Sequence, residues 1–315
     1  MPISFFTIQN NDLWVNGLIS SFFGVCLGAG LPSALACFAD SAIVEKRGFL
    51  GGIVYLSVGL STAFFVVVAA FLGNTMILLG MILWRLSGAF LFLLTYKNKK
   101  QEHPIPSYSF ILRQRDFMLY FLPWVMFCIV NWIEAPILQN LFGELYGLIG
   151  FAEIIISGAS AFLGGIISDH AGRKRVIMIG FVMLGIEYAM LSLFSEVPFS
   201  WYAYAIFDGI AWGMFASVFF MVLWGDISGN YQKEKYYTLG GLPYLLAMFL
   251  SELFKPYVGL MPLVTAFSLA SFFLFLAVVP LVYAPETLPE KAIKERELRG
   301  YIEKAKRIRE KFTKG

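Results

Sequence analysis

Residues 164–175 read GGIISDHAGRKR. Apolar runs flank the strip, at about 146–168 and 174–194. The strip itself holds three glycines, an aspartate and three consecutive cations. So polar an interruption in so apolar a setting needs a setting that explains it. Composition supplies one. The 315 residues are 58% hydrophobic and 17% aromatic, with only 14% charged, and the mean hydropathy is +0.72. A soluble domain carries about 25% charged residues. This chain has too little polar surface to cover itself in water, so it reads as a polytopic membrane protein.

An apolar run of about 20 residues crosses a bilayer as a helix. Nine such runs occur, at about 13–38, 49–72, 74–96, 117–139, 146–168, 174–194, 199–224, 238–257 and 260–283. They are expected to be helices, because lipid offers backbone groups no partners. The expected fold class is therefore an all-α polytopic membrane protein. Connectors between the runs alternate sides, and cations decide which side is cytoplasmic. Of 24 Lys and Arg, 22 fall in five segments: 39–48, 97–116, 173–175, 225–237 and the tail after 284. All five lie on one side under the nine-span reading. The opposite connectors carry acids such as Asp12, Glu144 and Glu196. This asymmetry predicts an external N-terminus, a cytoplasmic C-terminus and a multi-pass place in the cell membrane.

The longest internal connector, 97–116, reads KNKKQEHPIPSYSFILRQRD. Its prolines and charges mark a linker. It divides an N-terminal group of three spans, 1–96, from a six-helix bundle at 117–284. The tail 285–315 is basic. Ile293, Leu298, Tyr301, Ile302, Ala305, Ile308 and Phe312 recur in it at helical spacing. That pattern predicts an amphipathic helix suited to an anionic lipid surface.

Several classes are disfavoured. Cys26, Cys37 and Cys128 are scattered through apolar runs without metal spacing. His103 and His170 sit in polar connectors. No nucleophile–base set, zinc motif, phosphate loop or dinucleotide fingerprint appears. An enzyme or a membrane sensor is the weaker reading. No cofactor, metal or nucleic-acid partner is expected; the expected partners are the lipid bilayer and a small-molecule solute.

The strip also fits G-x-x-x-D-x-x-G-R-[KR], from Gly165 through Asp169, Gly172 and Arg173 to Lys174. This resembles the signature loop of the major facilitator superfamily. Other stretches are similar to the same family. Gly24-Val-Cys-Leu-Gly28-Ala-Gly30, followed by Pro32, resembles its glycine-rich fourth helix. Lys46-Arg47-Gly48 resembles the basic turn after that helix, and Ala284-Pro285-Glu286-Thr287 the sequence after its last helix. The resemblance implies helices four to twelve of a twelve-helix fold, with the first three helices and the first copy of the loop absent. Gly24 stands where antiporters of the family often carry an arginine. The implied function is secondary-active transport of a small solute by alternating access, with or without a coupling proton. The alternative is a truncated, transport-incompetent member of the same family.

The loop has a physical reading as a latch between conformers. Gly164 and Gly165 permit close helix approach. Asp169 can accept from Arg173 and from free N–H groups at a helix N-terminus. The resemblance points to the start of the span at 238–257, near Gly240 and Gly241.

Five ionisable residues fall at membrane depth: Arg85, Glu134, Glu153, Glu187 and Asp208. Such residues are functional candidates by default. By resemblance, the helices lining the central cavity include the first, fourth and seventh spans of this chain. Asn131 and Glu134, at i, i+3, share a face of the fourth span, next to a kink-forming Pro136. Asp208 and Trp212, at i, i+4, share a face of the seventh. These four are the expected cavity residues. Glu153 and Glu187 are expected to serve as structural hydrogen-bonding groups, and Arg85 to pair with an acid in the portion of its own bundle that the resemblance implies is missing.

Overall fold

A computed structural model describes residues 13–95, 103–258 and 261–288. Among them every regular element is helical. α1 spans Leu13–Ser41 and α2 spans Arg47–Thr95. A short α3, Tyr108–Arg113, precedes α4, Arg115–Phe142. Next come α5, Tyr146–Ala171, and α6, Arg173–Phe194. α7, Pro198–Phe215, runs on through a π-helical stretch, Ala216–Leu223, into α8, Trp224–Ile227. α9 spans Lys233–Val258 and α10 spans Leu263–Tyr283. Six helical stretches are long and apolar enough to cross a membrane. The chain is therefore a helical membrane protein.

Most of the expected spans match these helices to within a few residues. One does not. The runs at 49–72 and 74–96 are a single helix of 49 residues. At 1.5 Å per residue it is roughly 74 Å long, over twice a hydrocarbon core of about 30 Å. The runs meet at Gly73-Asn74-Thr75, where polar residues occur but no proline stands to break the helix. The described part of 1–96 is thus two helices, not three. The linker is also more structured than expected. Ser107 caps α3 by accepting from the Phe110 N–H. Ile111 is fully buried, and the Pro106 carbonyl accepts from Lys235 Nζ at 2.8 Å. The tail beyond residue 288, and its amphipathic helix, lie outside the described residues.

α2 packs along α5, α5 on α7, α6 on α10, and α4 on both α9 and α10; α1 lies against α9. The α2–α5 contact is a seam of small residues. A Cβ on Gly165 would stand 2.2 Å from the Gly48 carbonyl oxygen. One on Gly52 would stand 2.6 Å from the Ala161 oxygen. Only glycine allows backbones this close. Between α5 and α6 the chain turns on Gly172, whose φ of +102° disfavours any side chain.

The aromatic core lies among α4, α6, α7 and the π-helical stretch. Trp124 stacks on Phe219 with ring centroids 4.7 Å apart, and Phe127 and Phe181 each meet Phe215 at 4.9 Å. Outward faces carry exposed Phe64, Phe71 and Leu83 on α2, and Phe272 on α10. That is the pattern of a lipid-facing surface.

Candidate functional site

The glycine seam sets the first site. With Gly48 pressed on Gly165, the end of α5 meets the start of α2. Asp169, 2% exposed, then accepts from the Gly48 N–H at 2.9 Å and the Phe49 N–H at 2.7 Å. These are first-turn N–H groups with no partner inside their own helix. The positive end of the helix dipole adds to their attraction for a carboxylate.

Arg173, fully buried at the start of α6, extends the site. One guanidinium nitrogen lies 3.0 Å from Asp169 Oδ1, and Nε donates to Asp226 Oδ2 at 3.1 Å. Its remaining donors go to the Ser168 and Val44 carbonyls, at 3.1 and 2.6 Å. Arg47 reaches the other oxygen of Asp226 and donates to the Ala39 carbonyl at 2.6 Å. The result is an alternating row, Asp169–Arg173–Asp226–Arg47. It ties α1, α2, α5, α6 and α8 at one end of the bundle.

Glu286 closes the row from the far end of the chain. Its carboxylate accepts from the Arg173 and Lys174 N–H groups, at 2.8 and 3.2 Å. It therefore caps α6. Lys174 Nζ donates to the Val282 and Ala284 carbonyls, at 2.7 and 2.9 Å. A Cβ on Gly172 would fall 2.2 Å from Glu286 Oε2, a second reason for glycine there.

The structure thus brings together Gly165, Asp169, Gly172, Arg173 and Lys174. It corrects the partner expected for Asp169. Gly240 and Gly241 do not receive it. Gly240 lies under the Trp224 ring, and its carbonyl accepts from Trp124 Nε1 at 2.7 Å. The glycine seam directs α5 to α2, so Asp169 meets Gly48 instead. Asp226 was missed in the sequence, where it reads as one polar residue in a basic connector. Glu286 was singled out only through the sequence around it.

A second cluster lies in the other half of the bundle. Asp208 is eighteen positions before Asp226 along the α7–α8 line. Glu187 on α6 faces Asp208, Glu153 of α5 and Glu134 of α4. Asp208 meets Glu187 and Glu153. Tyr188 sits against Glu134. Glu187, Asp208 and Glu134 are 1%, 3% and 4% exposed. Among the described residues no donor reaches either oxygen of Glu187 except, when protonated, the Asp208 carboxyl, and Glu134 Oε2 and Glu153 Oε1 have no hydrogen-bond partner. Among the described residues, none of the four acids joins a salt bridge. Glu187 lies within hydrogen-bonding reach of the Asp208 carboxyl, as the structural role expected of it requires. The expectation treated each acid alone, whereas the fold gathers them. The side chain of Arg85 lies outside the described residues.

The four expected cavity residues divide into two sets. Glu134 and Asp208 belong to the acid cluster. Asn131 and Trp212 form their own pair, with Trp212 Nε1 donating to Asn131 Oδ1 at 3.2 Å. Tyr244 of α9 lies beside Trp132, Phe220 and Trp212, with ring centroids 5.4, 5.5 and 6.0 Å apart. Tyr55 of α2 reaches Phe220 at 6.2 Å. These rings stay partly exposed, while Phe127, Phe215 and Phe219 behind them are buried. The sequence signal for Tyr55 and Tyr244 was weak, since an aromatic in an apolar run is usually packing or lipid-facing filler.

Compared with known proteins, the chain matches no protein-family model and no curated protein.

Proposed function

We propose that this chain is a secondary transporter of a small solute, working by alternating access in the cell membrane, as its resemblance to the major facilitator superfamily implies. One observation carries the reading: Asp169 on α5 grips the N-terminus of α2, inside an ion-pair row that reaches five helices at one end of the bundle. A contact built from charges and helix-terminus bonds suits a latch. On opening, water replaces the lost partners, so the two states stay close in energy. A contact of packed apolar side chains would offer no such exchange. In this reading Asn131 and Trp212 flank the solute path, with Trp132, Phe220 and Tyr244 as its aromatic wall and the buried Glu134 and Asp208 behind it. No nucleic acid takes part.

The test is conformational. In a cysteine-free background, N131C and Y244C report accessibility from each side of the membrane. Asp169→Asn is expected to shift labelling toward the side of the interlock, because an amide cannot accept at both oxygens. Labelling that is one-sided in the parent and unchanged by Asp169→Asn would overturn the proposal.

A further inference from the structure

The interlock explains why its own acids are buried: each has cations or helix N–H groups. The acid cluster has no such explanation. Four acids from four helices converge where water is scarce. From every element packed around Glu187, the titratable groups are known. α4 supplies Glu134, α5 supplies Glu153 and Tyr146, α6 itself supplies Tyr188, and α7 supplies Asp208 and Tyr204. α10 contributes the hydroxyls of Ser268 and Ser271, both already bonded, to Ser192 and to the Gly185 carbonyl. Every described ionisable neighbour is an acid or a phenol. Like charges at close range cannot all be ionised in such a place. The independent observation is Glu187, whose two buried oxygens meet no donor among the described residues other than a second carboxyl, that of Asp208. A buried carboxyl normally satisfies its oxygens.

We infer that Glu187 and Asp208, with Glu134 and Glu153, form a proton-binding site inside the bundle. A proton fits the enclosure, and larger cations do not. Glu187 and Asp208 are too buried to admit an organic cation. Among the described residues no group of three or more acids, histidines or cysteines is placed to hold a metal ion. The arrangement also has two ends. Tyr146, 38% exposed, and half-buried Glu153 lie at the surface side. Glu134 lies at the other, three positions from Asn131 on α4. The proton exchanges between Asp208 and Glu187, which lie within hydrogen-bonding reach: an O–H bond breaks on one carboxyl as one forms on the other, with no net redox change, while Glu153 and Glu134 act on the pair through their charge. The sites titrate as a coupled set rather than one by one. Binding itself does not depend on the transporter reading; the use of these protons to couple transport rests on it.

The experiment uses the full chain in lipid vesicles, with the proton as the probe. Infrared difference spectra across a titration from about pH 5 to about pH 9 are expected to show a protonated-carboxyl band that persists at neutral pH. Glu187→Gln and Asp208→Asn are each expected to lose part of it. Absence of the band in the unaltered chain would overturn the inference without recourse to any variant. So would a band undiminished in both variants. N131C and Y244C labelling separates the two proposals. A variant-sensitive band with one fixed, Asp169-insensitive exposure keeps the proton site and removes the transporter. Alternating exposure without the band does the reverse.

Discussion

The two ends of this bundle bury acids in opposite ways. At the interlock, Asp226 lies between Arg47 and Arg173, its side chain 1% exposed. Asp169 shares Arg173 and takes two backbone N–H groups besides. In the other half, Glu187 is equally buried and has no cation among the described residues, and no neighbour to bond with but the Asp208 carboxyl. Burying a charge costs several kcal/mol unless geometry repays it. The interlock repays it with ion pairs, and so depends on charge. The acid cluster has no cation among the described residues to repay it with, only the Tyr188 hydroxyl beside Glu134 and one carboxyl beside another, and so depends on neutralisation. One region holds helices together through ionisation, and the other tolerates its acids only as they lose it.

The sharpest way to break this contrast is Asp226→Ala. It leaves Arg47 and Arg173 buried with one anion too few. Removing one partner of a buried pair costs about 3–5 kcal/mol, and thermal unfolding in detergent should show it. A cost under about 1 kcal/mol would mean that the row is no more than a set of surface pairs. Gly165→Leu comes next. Its Cβ has only backbone to push against, 2.2 Å away at the Gly48 oxygen. Overpacking of this kind costs about 3 kcal/mol and should also release Asp169 from the start of α2. Unchanged stability would dissolve the seam that sets the interlock.

Much of the first region was legible in sequence, and little of the second. Long apolar runs announced the helices, because hydrophobic thickness fixes their length. Asp169 and Arg173 are four apart across a glycine, so their pairing is local. The other partners of Asp169 are not local. Gly48 and Phe49 lie about 120 positions away and act through backbone N–H groups, which carry no residue signature. The unbroken α2 was hidden by Gly73-Asn74, a weak stop that reads like a turn. The π-helical stretch Ala216–Leu223 left no mark in an apolar run. As for the acids, each was visible alone. Their convergence depends on helix rotation, which hydropathy does not encode.

Glu187→Gln tests the second region directly. It should change stability by no more than about 1 kcal/mol, in either direction, since a neutral amide replaces a neutral carboxyl of nearly the same shape. The same thermal assay serves. A loss as large as that expected for Asp226→Ala would mean that Glu187 is ion-paired after all, and the contrast would fail.

The smallest effect tests where the interlock stops. Lys233 and Asp40 form a fourth ion pair between α9 and α1, close in space to the row but more open. The Asp40 side chain is 37% exposed and that of Lys233 10%. Water competes for both, and ordering the long lysine costs entropy. Exposed pairs of this kind contribute about 0.2–1 kcal/mol. Lys233→Ala should therefore cost about 0.5 kcal/mol at low salt and less at high salt, where screening removes most of it. Asp226→Ala, buried beyond the reach of salt, should keep its cost under both conditions. If the cost of Lys233→Ala proved equally large and equally indifferent to salt, α1 and α9 would belong to the interlock. Its boundary would then be set by which charges are desolvated in the open state, not by which are buried in this one.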